Sequence, residues 1–184
     1  MGCRQWLLLF TRNHKMRSSA LIEIFLQPGE CYFGGKDSRI RTLLGSCVAI
    51  TMWHPEQQLG GMCHYMLPFR TGTGTHLDGR YAEEAIQILH QAIRKSGTKP
   101  EDYQVKLFGG GNMFSDHSEG EINLSRNVAH RNIDAAHRLL KQYGHRILAE
   151  HVGMTGHRNI ILDVQSGKVW MRHVERTTLQ NMGG

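Results

Sequence analysis

Thr42-Leu43-Leu44-Gly45-Ser46-Cys47-Val48-Ala49-Ile50, followed by Gly60-Gly61-Met62-Cys63-His64-Tyr65-Met66-Leu67-Pro68, decides how this chain is read. A cysteine stands just after a Gly-Ser turn, at the mouth of one apolar run. A histidine stands on the next run. Between them His54-Pro55-Glu56-Gln57 is a turn sequence. If the runs form an antiparallel hairpin closed by that tetrapeptide, Trp53 faces Gln58, Met52 faces Leu59 and Cys47 faces His64. Directly opposed residues share a face with Cβ atoms roughly 4.5–5.5 Å apart, near enough for a thiol and an imidazole to share a proton. The stretch therefore points to a cysteine nucleophile with a histidine base. A slip of one residue flips every side chain, and Gly60-Gly61 is a natural place for a bulge. In that register Cys63 faces Cys47, which predicts a disulfide or a metal pair instead.

The remainder of the chain bounds this reading. Its 184 residues suit one domain with a sizeable core, and 40% hydrophobic with 21% charged residues is ordinary for a soluble protein. A net charge of +6 suits an acidic partner. The basic residues are scattered, with no zinc-finger spacing and no basic run interleaved with aromatics, so nucleic acid is not expected. Cys3, Cys31, Cys47 and Cys63 form no C-x-x-C pair, which points to a reducing cytoplasm. Trp6-Leu7-Leu8-Leu9-Phe10 is too short for a signal-peptide core or a membrane span. Residues 1–18 read as a flexible extension, 19–175 as a single domain and 176–184 as a tail.

Within the domain Leu21–Leu26 reads as a strand ending at the turn Gln27-Pro28-Gly29-Glu30, and Ile40–Leu44 as a short apolar approach to the Gly45 corner. Residues 70–80 read as a flexible loop bordering the site. Ala82, Ala85, Ile86, Leu89 and Ile93 recur at helical spacing, giving a helix over 80–96 that stops at Gly97. Tyr103–Phe108 alternates like a strand and runs into Gly109-Gly110-Gly111, which permits close backbone approach or unusual dihedrals. Phe114, just beyond, is placed to pack back on the core. A second helix is expected from an N-cap at Ser125, with Ala129, Ile133, Ala136, Leu140 and Tyr143 on its apolar stripe and His130 and His137 on the solvated side. Arg146–Val152, Asn159–Val164 and Lys168–Val174 read as strands, the last two joined at Gln165-Ser166-Gly167. The class is α+β, with a largely antiparallel or mixed sheet flanked by two main helices.

The opening stretch, with Lys106-Leu107-Phe108-Gly109-Gly110-Gly111-Asn112-Met113-Phe114, Ser125-Arg126-Asn127, Gly153-x-x-Gly156-x-Arg158 and the Ser166-Gly167 hairpin, resembles the chemoreceptor glutamine deamidase family, CheD, over roughly residues 20–175. The resemblance implies a layered β-sandwich flanked by helices, similar to bacterial toxin deamidase domains. It implies a hydrolase that converts glutamine side chains of methyl-accepting chemotaxis receptors to glutamate, without a cofactor or metal. It favours Cys47 with His64 over Cys47 with Cys63, and adds Thr42 as the third member of a triad. In some bacteria the family also binds a CheC-type phosphatase. The oxyanion is expected at backbone N–H groups of the Gly45-Ser46-Cys47 corner, that of Cys47 foremost. Two rival readings use the same residues: a cysteine protease or transamidase, and a zinc-binding or adaptor module built on Cys47, Cys63 and His64.

Overall fold

The computed structural model describes residues 20–113 and 119–175. The expected N-terminal extension, the packing of Phe114 and the C-terminal tail lie outside them. In chain order the elements are β1 (Ile22–Leu26), β2 (Cys31–Gly34), β3 (Ser38–Leu44), β4 (Val48–His54), β5 (Leu59–Tyr65), α1 (Ala82–Lys95), a 3-10 turn (Pro100–Asp102), β6 (Gln104–Gly109), α2 (Glu119–Gln142), β7 (Ile147–Val152), β8 (His157–Asp163) and β9 (Val169–Val174). They build two mixed sheets, β1-β3-β8-β9 and β2-β5-β4-β6-β7. The pairs β1/β3 and β6/β7 are parallel and the rest antiparallel. The expected α+β class holds.

Two cores result. Leu26, Ile40, Leu44, Ala49, Met62, Phe108, Ile160 and Leu162 fill the space between the sheets. Val48, Ile50, Met52, Cys63, Tyr65, Val105 and Leu107 point to the other side of the five-stranded sheet, where α1 and α2 cover them. Strand β4 is thus enclosed on both faces, which is why every residue of Val48–Met52 is buried, with Thr51 the one polar residue among them, instead of alternating apolar with exposed polar. Strand β3 does alternate: Ser38, Ile40, Thr42 and Leu44 face inward while Arg41 and Leu43 face out. Strand β2 was not foreseen, and β3 begins at Ser38, two residues before the expected Ile40–Leu44 approach.

Helix α1 matches its pattern. Glu83 and Glu84 lie in its first turn and Arg94 and Lys95 in its last, each complementing the helix dipole, and Gly97 follows at φ +82°. Helix α2 begins at Glu119, six residues before Ser125, so Ser125 is an interior residue and not the N-cap. On its outer side His130 lies 3.0 Å from Asp134, and His137 reaches across to Glu150 at 2.7 Å.

The β4–β5 hairpin departs from the expected register. His54 opposes Leu59, Ala49 opposes His64 and Val48 opposes Tyr65, with Pro55–Gln58 as the loop and Gln58 at φ +50°. The slip is two residues, so every side chain keeps its predicted face. The pairing runs through Gly60 and Gly61 without a bulge. A Cβ on Gly61 would lie 2.6 Å from the Tyr32 carbonyl, and one on Gly60 3.2 Å from the Trp53 ring. These glycines admit neighbours in a continuous ladder rather than interrupting it.

Candidate active site

Three strands converge on His64. Its imidazole is 2% exposed and points between the sheets, on the same face as its pairing partner Ala49. Thr42, wholly buried, reaches it from β3: Oγ1 lies 2.8 Å from His64 Nδ1 and donates to the Leu26 carbonyl at 2.9 Å. Leu26 is opposite Thr42 in the parallel β1–β3 pair, so the ladder itself delivers that carbonyl. A carbonyl only accepts, so the single hydroxyl proton of Thr42 goes to Leu26, and Thr42 Oγ1 accepts from Nδ1–H. That network assigns the tautomer. His64 Nε2 is then the unprotonated nitrogen, and it is buried without a hydrogen-bond partner. An unpaired buried acceptor costs about 1–3 kcal/mol, and such groups mark places where function needs a vacant lone pair.

Cys47 stands in the Gly45-Ser46 bend, one residue before β4. It packs against the inter-sheet core with Ala49, so thiol and imidazole share a face as diagonal neighbours instead of directly opposed ones. Diagonal pairs have Cα atoms roughly 7–8 Å apart, with Cβ atoms somewhat nearer. Burial pushes the Cys47 thiol up from its ordinary pKa. Burial also lowers His64 to about 4, opposed only in part by the Leu26 carbonyl. At neutral pH both groups are uncharged: an intact thiol beside an imidazole with a bare acceptor nitrogen.

The glycine run after β6 holds the bend. Gly110 N–H donates to the Cys47 carbonyl at 2.7 Å, and Gly111 N–H to the Gly45 carbonyl at 2.8 Å. Gly109 has φ +117°, and a Cβ there would lie 2.3 Å from the Cys47 carbonyl oxygen. The run provides both the close approach and the unusual dihedral that its sequence suggested. Beneath Gly111 lies Arg158, fully buried, donating Nε to His151 Nδ1 at 2.8 Å and Nη2 to the Gly153 carbonyl.

Cys63 lies on the other side of the sheet. It opposes Ile50 and Cys31 and packs with the helices. The one-residue slip that would pair it with Cys47 does not occur, and Cys47 and Cys63 remain free thiols. Cys47, Cys63 and His64 therefore do not converge on one point, which removes the donor set of the zinc reading.

Asn132 escaped the sequence reading. It is wholly buried on α2, and its Nδ2 donates to the Met66 carbonyl at 2.8 Å and the Ser46 carbonyl at 3.3 Å. Its signal was a polar residue at helical spacing within the stripe of Ala129 and Ala136. The Ser125-Arg126-Asn127 motif falls within α2.

Comparison with known proteins places the chain among named relatives. A family model described as CheD chemotactic sensory transduction matches residues 66–173, a span that begins just after His64. A protein of Pseudomonas savastanoi pv. phaseolicola, named probable chemoreceptor glutamine deamidase CheD, is 53% identical over 151 residues, covering 82% of this chain and 84% of its own. One from Dechloromonas aromatica, named probable chemoreceptor glutamine deamidase CheD 3, is 45% identical over 83% of this chain and 88% of its own. One from Leptospira interrogans, named probable chemoreceptor glutamine deamidase CheD 1, is 38% identical over 88% of this chain and 99% of its own. With the family model matching more than half of the chain and such relatives spanning most of it, the chain belongs to the CheD family.

Proposed function

We propose that this protein is a glutamine deamidase of methyl-accepting chemotaxis receptors, with Cys47 as nucleophile, His64 as general base and acid, and Thr42 holding the imidazole. Its relatives' names support the activity and the substrate. The observation that carries the residue assignment is the Thr42–His64 hydrogen bond, which leaves Nε2 bare on the face that Cys47 shares.

The steps follow from the charge states. Neutral His64 Nε2 takes the Cys47 thiol proton as sulfur attacks the glutamine side-chain carbonyl carbon. No standing thiolate is needed. The oxyanion forms against backbone N–H groups of the Gly45-Ser46-Cys47 bend, with that of Cys47 foremost. His64, now an imidazolium, returns its proton to the departing nitrogen, ammonia leaves and a thioester remains. The imidazole next takes a proton from water, the hydroxide attacks the thioester carbon, and the proton passes back to the sulfur as glutamate is freed. Each turnover consumes one water and releases one ammonia, and converts a neutral receptor side chain to a carboxylate.

The substrate side of the receptor and this chain meet in the cytoplasm in this reading. Among the described residues no helix is long and apolar enough to cross a membrane. A CheC-type phosphatase is the further partner that the family resemblance brings, and the two-sheet, two-helix layering supports kinship with toxin deamidase domains.

The test is incubation of the full chain with a receptor cytoplasmic fragment, read by mass spectrometry. Deamidation adds about one dalton at each converted glutamine and leaves the backbone whole. The wild type is expected to show that shift and Cys47→Ala to lose it. Backbone cleavage or amine incorporation would move the assignment to a protease or transamidase, and undiminished conversion by Cys47→Ala would remove the nucleophile.

A further inference from the structure

The β4–β5 ladder ends at Val48 and Tyr65. Another rung would set Cys47 against Met66, but Cys47 has already left the strand for its bend. At that place a side chain from a different layer takes over. Asn132 Nδ2 donates both its protons across the gap, to the Ser46 carbonyl on one strand end and the Met66 carbonyl on the other. Tyr65, also wholly buried, fastens the backbone of the same residue, its hydroxyl donating to the Asn132 main-chain carbonyl at 2.7 Å. Three hydrogen bonds on one residue thus connect α2 to the segment just before Cys47 and the segment just after His64.

The chemistry of the amide fixes its orientation. Two carbonyl oxygens need a double donor, and the NH2 group of asparagine is one. With oxygen and nitrogen exchanged, Oδ1 would face both carbonyls. In the observed orientation Oδ1 is buried with no partner. A buried acceptor left unpaired is a standing cost that a merely structural position would have shed by becoming apolar.

We infer that Asn132 is a positioning residue: its amide replaces the missing rung between β4 and β5 and sets the reach from the Cys47 thiol to His64. Its amide donates to main-chain carbonyls and not to the thiol or the imidazole. It acts through the Ser46 and Met66 carbonyls, one residue from the nucleophile and two from the base. The inference rests on the Cys47–His64 pairing proposed above.

Two variants and two readouts test it. Asn132→Leu keeps the volume and removes both donors. Tyr65→Phe removes only the hydroxyl bond to the Asn132 main-chain carbonyl, which anchors this turn of α2. On a receptor fragment Asn132→Leu is expected to lower kcat about 10–100-fold with KM within about twofold, since a misplacement of the order of 1 Å costs that much when it separates reacting groups. Tyr65→Phe should lower kcat about threefold in the same pattern. The second readout is alkylation of Cys47 by iodoacetamide. At about pH 7 the wild-type rate depends on His64 taking the thiol proton, whereas at about pH 10 hydroxide supplies the thiolate. Asn132→Leu should lose the neutral-pH rate, as His64→Gln does, and match the wild type at high pH. A loss of structure would instead change both rates together. Wild-type kcat in both variants, or a neutral-pH alkylation rate that stays at the wild-type value, overturns the inference. If Asn132→Leu does not fold, Tyr65→Phe decides: a lowered kcat with the same alkylation signature supports the role, and a wild-type kcat overturns it. Should the wild type convert no receptor glutamine, the deamidase reading falls, while the alkylation profile still answers the positioning question.

Discussion

Thr42 occupies an inward position of β3 between Ile40 and Leu44, where an apolar residue would bury without needing a partner. The hydroxyl finds two partners, and the second is the imidazole. Thr42→Val keeps the shape and removes the link. The expected outcome is a kcat reduced about 10-fold or more with KM little changed, because the base loses its orientation and not its substrate. An unchanged kcat would reduce Thr42 to a packing residue. The pH profile offers a separate check. His64 lowered to about 4 by burial is neutral, and so competent as a base, throughout the range from mild acid to neutral. The acid limb of kcat/KM, which reports the free enzyme, should therefore fall well below 6.5, toward about 4. A limb at 6.5 or above would mean that the imidazole works in a wetter or more anionic setting than its burial indicates. At this scale Cys47 and His64 were legible from residue type and spacing, and Thr42 through family resemblance. Asn132 was not, because its role is defined by two backbone carbonyls whose positions no side-chain pattern encodes.

Between elements, the bend that carries Cys47 depends on β6 as much as on its own strands. The Gly109–Gly111 backbone lies against the Gly45 and Cys47 carbonyls. Gly109→Ala introduces a Cβ 2.3 Å from the Cys47 carbonyl oxygen at a φ of +117°. Since the obstacle is backbone, no rotamer relieves it. The expected cost is about 1–3 kcal/mol of stability, read from denaturant unfolding, together with a loss of activity larger than stability alone explains, because the displaced group belongs to Cys47, the proposed nucleophile. A variant as stable and as active as the wild type would show that the bend tolerates that shift. The sequence displayed this glycine run plainly. It displayed the hairpin less well: turn chemistry placed the loop at 54–57, whereas the structure closes it at Pro55–Gln58 and moves the pairing by two residues. An even slip preserves faces, so His64 keeps the face on which the hairpin was expected to place it. Strand β2 was missed for a physical reason. Its four residues lie at a sheet edge, too few to display a period. The start of α2 was missed because Ser125 carries a capping side chain wherever it stands, and a residue type that suits a cap does not exclude a place inside the helix.

The whole molecule stacks sheet on sheet on helices, and each of its two interfaces holds a buried histidine. His64 lies between the sheets, and His90, 3% exposed, lies on the inner side of α1. His90 Nε2 is 2.8 Å from His145 Nε2, and the Tyr143 ring meets it edge-on at 5.0 Å. Burial lowers His90 to about 4, His145 and Arg94 reinforce the effect by repulsion, and Glu101 opposes it. Composition alone, with 12 histidines, could not say which of them are enclosed. The consequence is a pH-dependent stability with a definite sign. Both groups have folded pKa values of about 4, below the ordinary 6.5. Between those values the unfolded chain binds more protons, so stability rises with pH. The contribution is complete above 6.5 and drains away as pH falls towards about 4. Each buried imidazole accounts for about 3 kcal/mol at most across that window, less where partial solvation softens the shift. Urea midpoints should therefore drop steadily from about pH 7.5 to about pH 5. His90→Leu should flatten part of that slope, His145 and His151 also being lowered by burial, while leaving receptor deamidation near the wild-type rate, since His90 lies on the buried face of α1 against His145, away from His64. A midpoint independent of pH over this range would mean that neither imidazole is enclosed as tightly as the two cores require. A slope untouched by His90→Leu would place the dependence on the other histidines that burial lowers, His64, His145 and His151, and double variants would then have to divide it among the three.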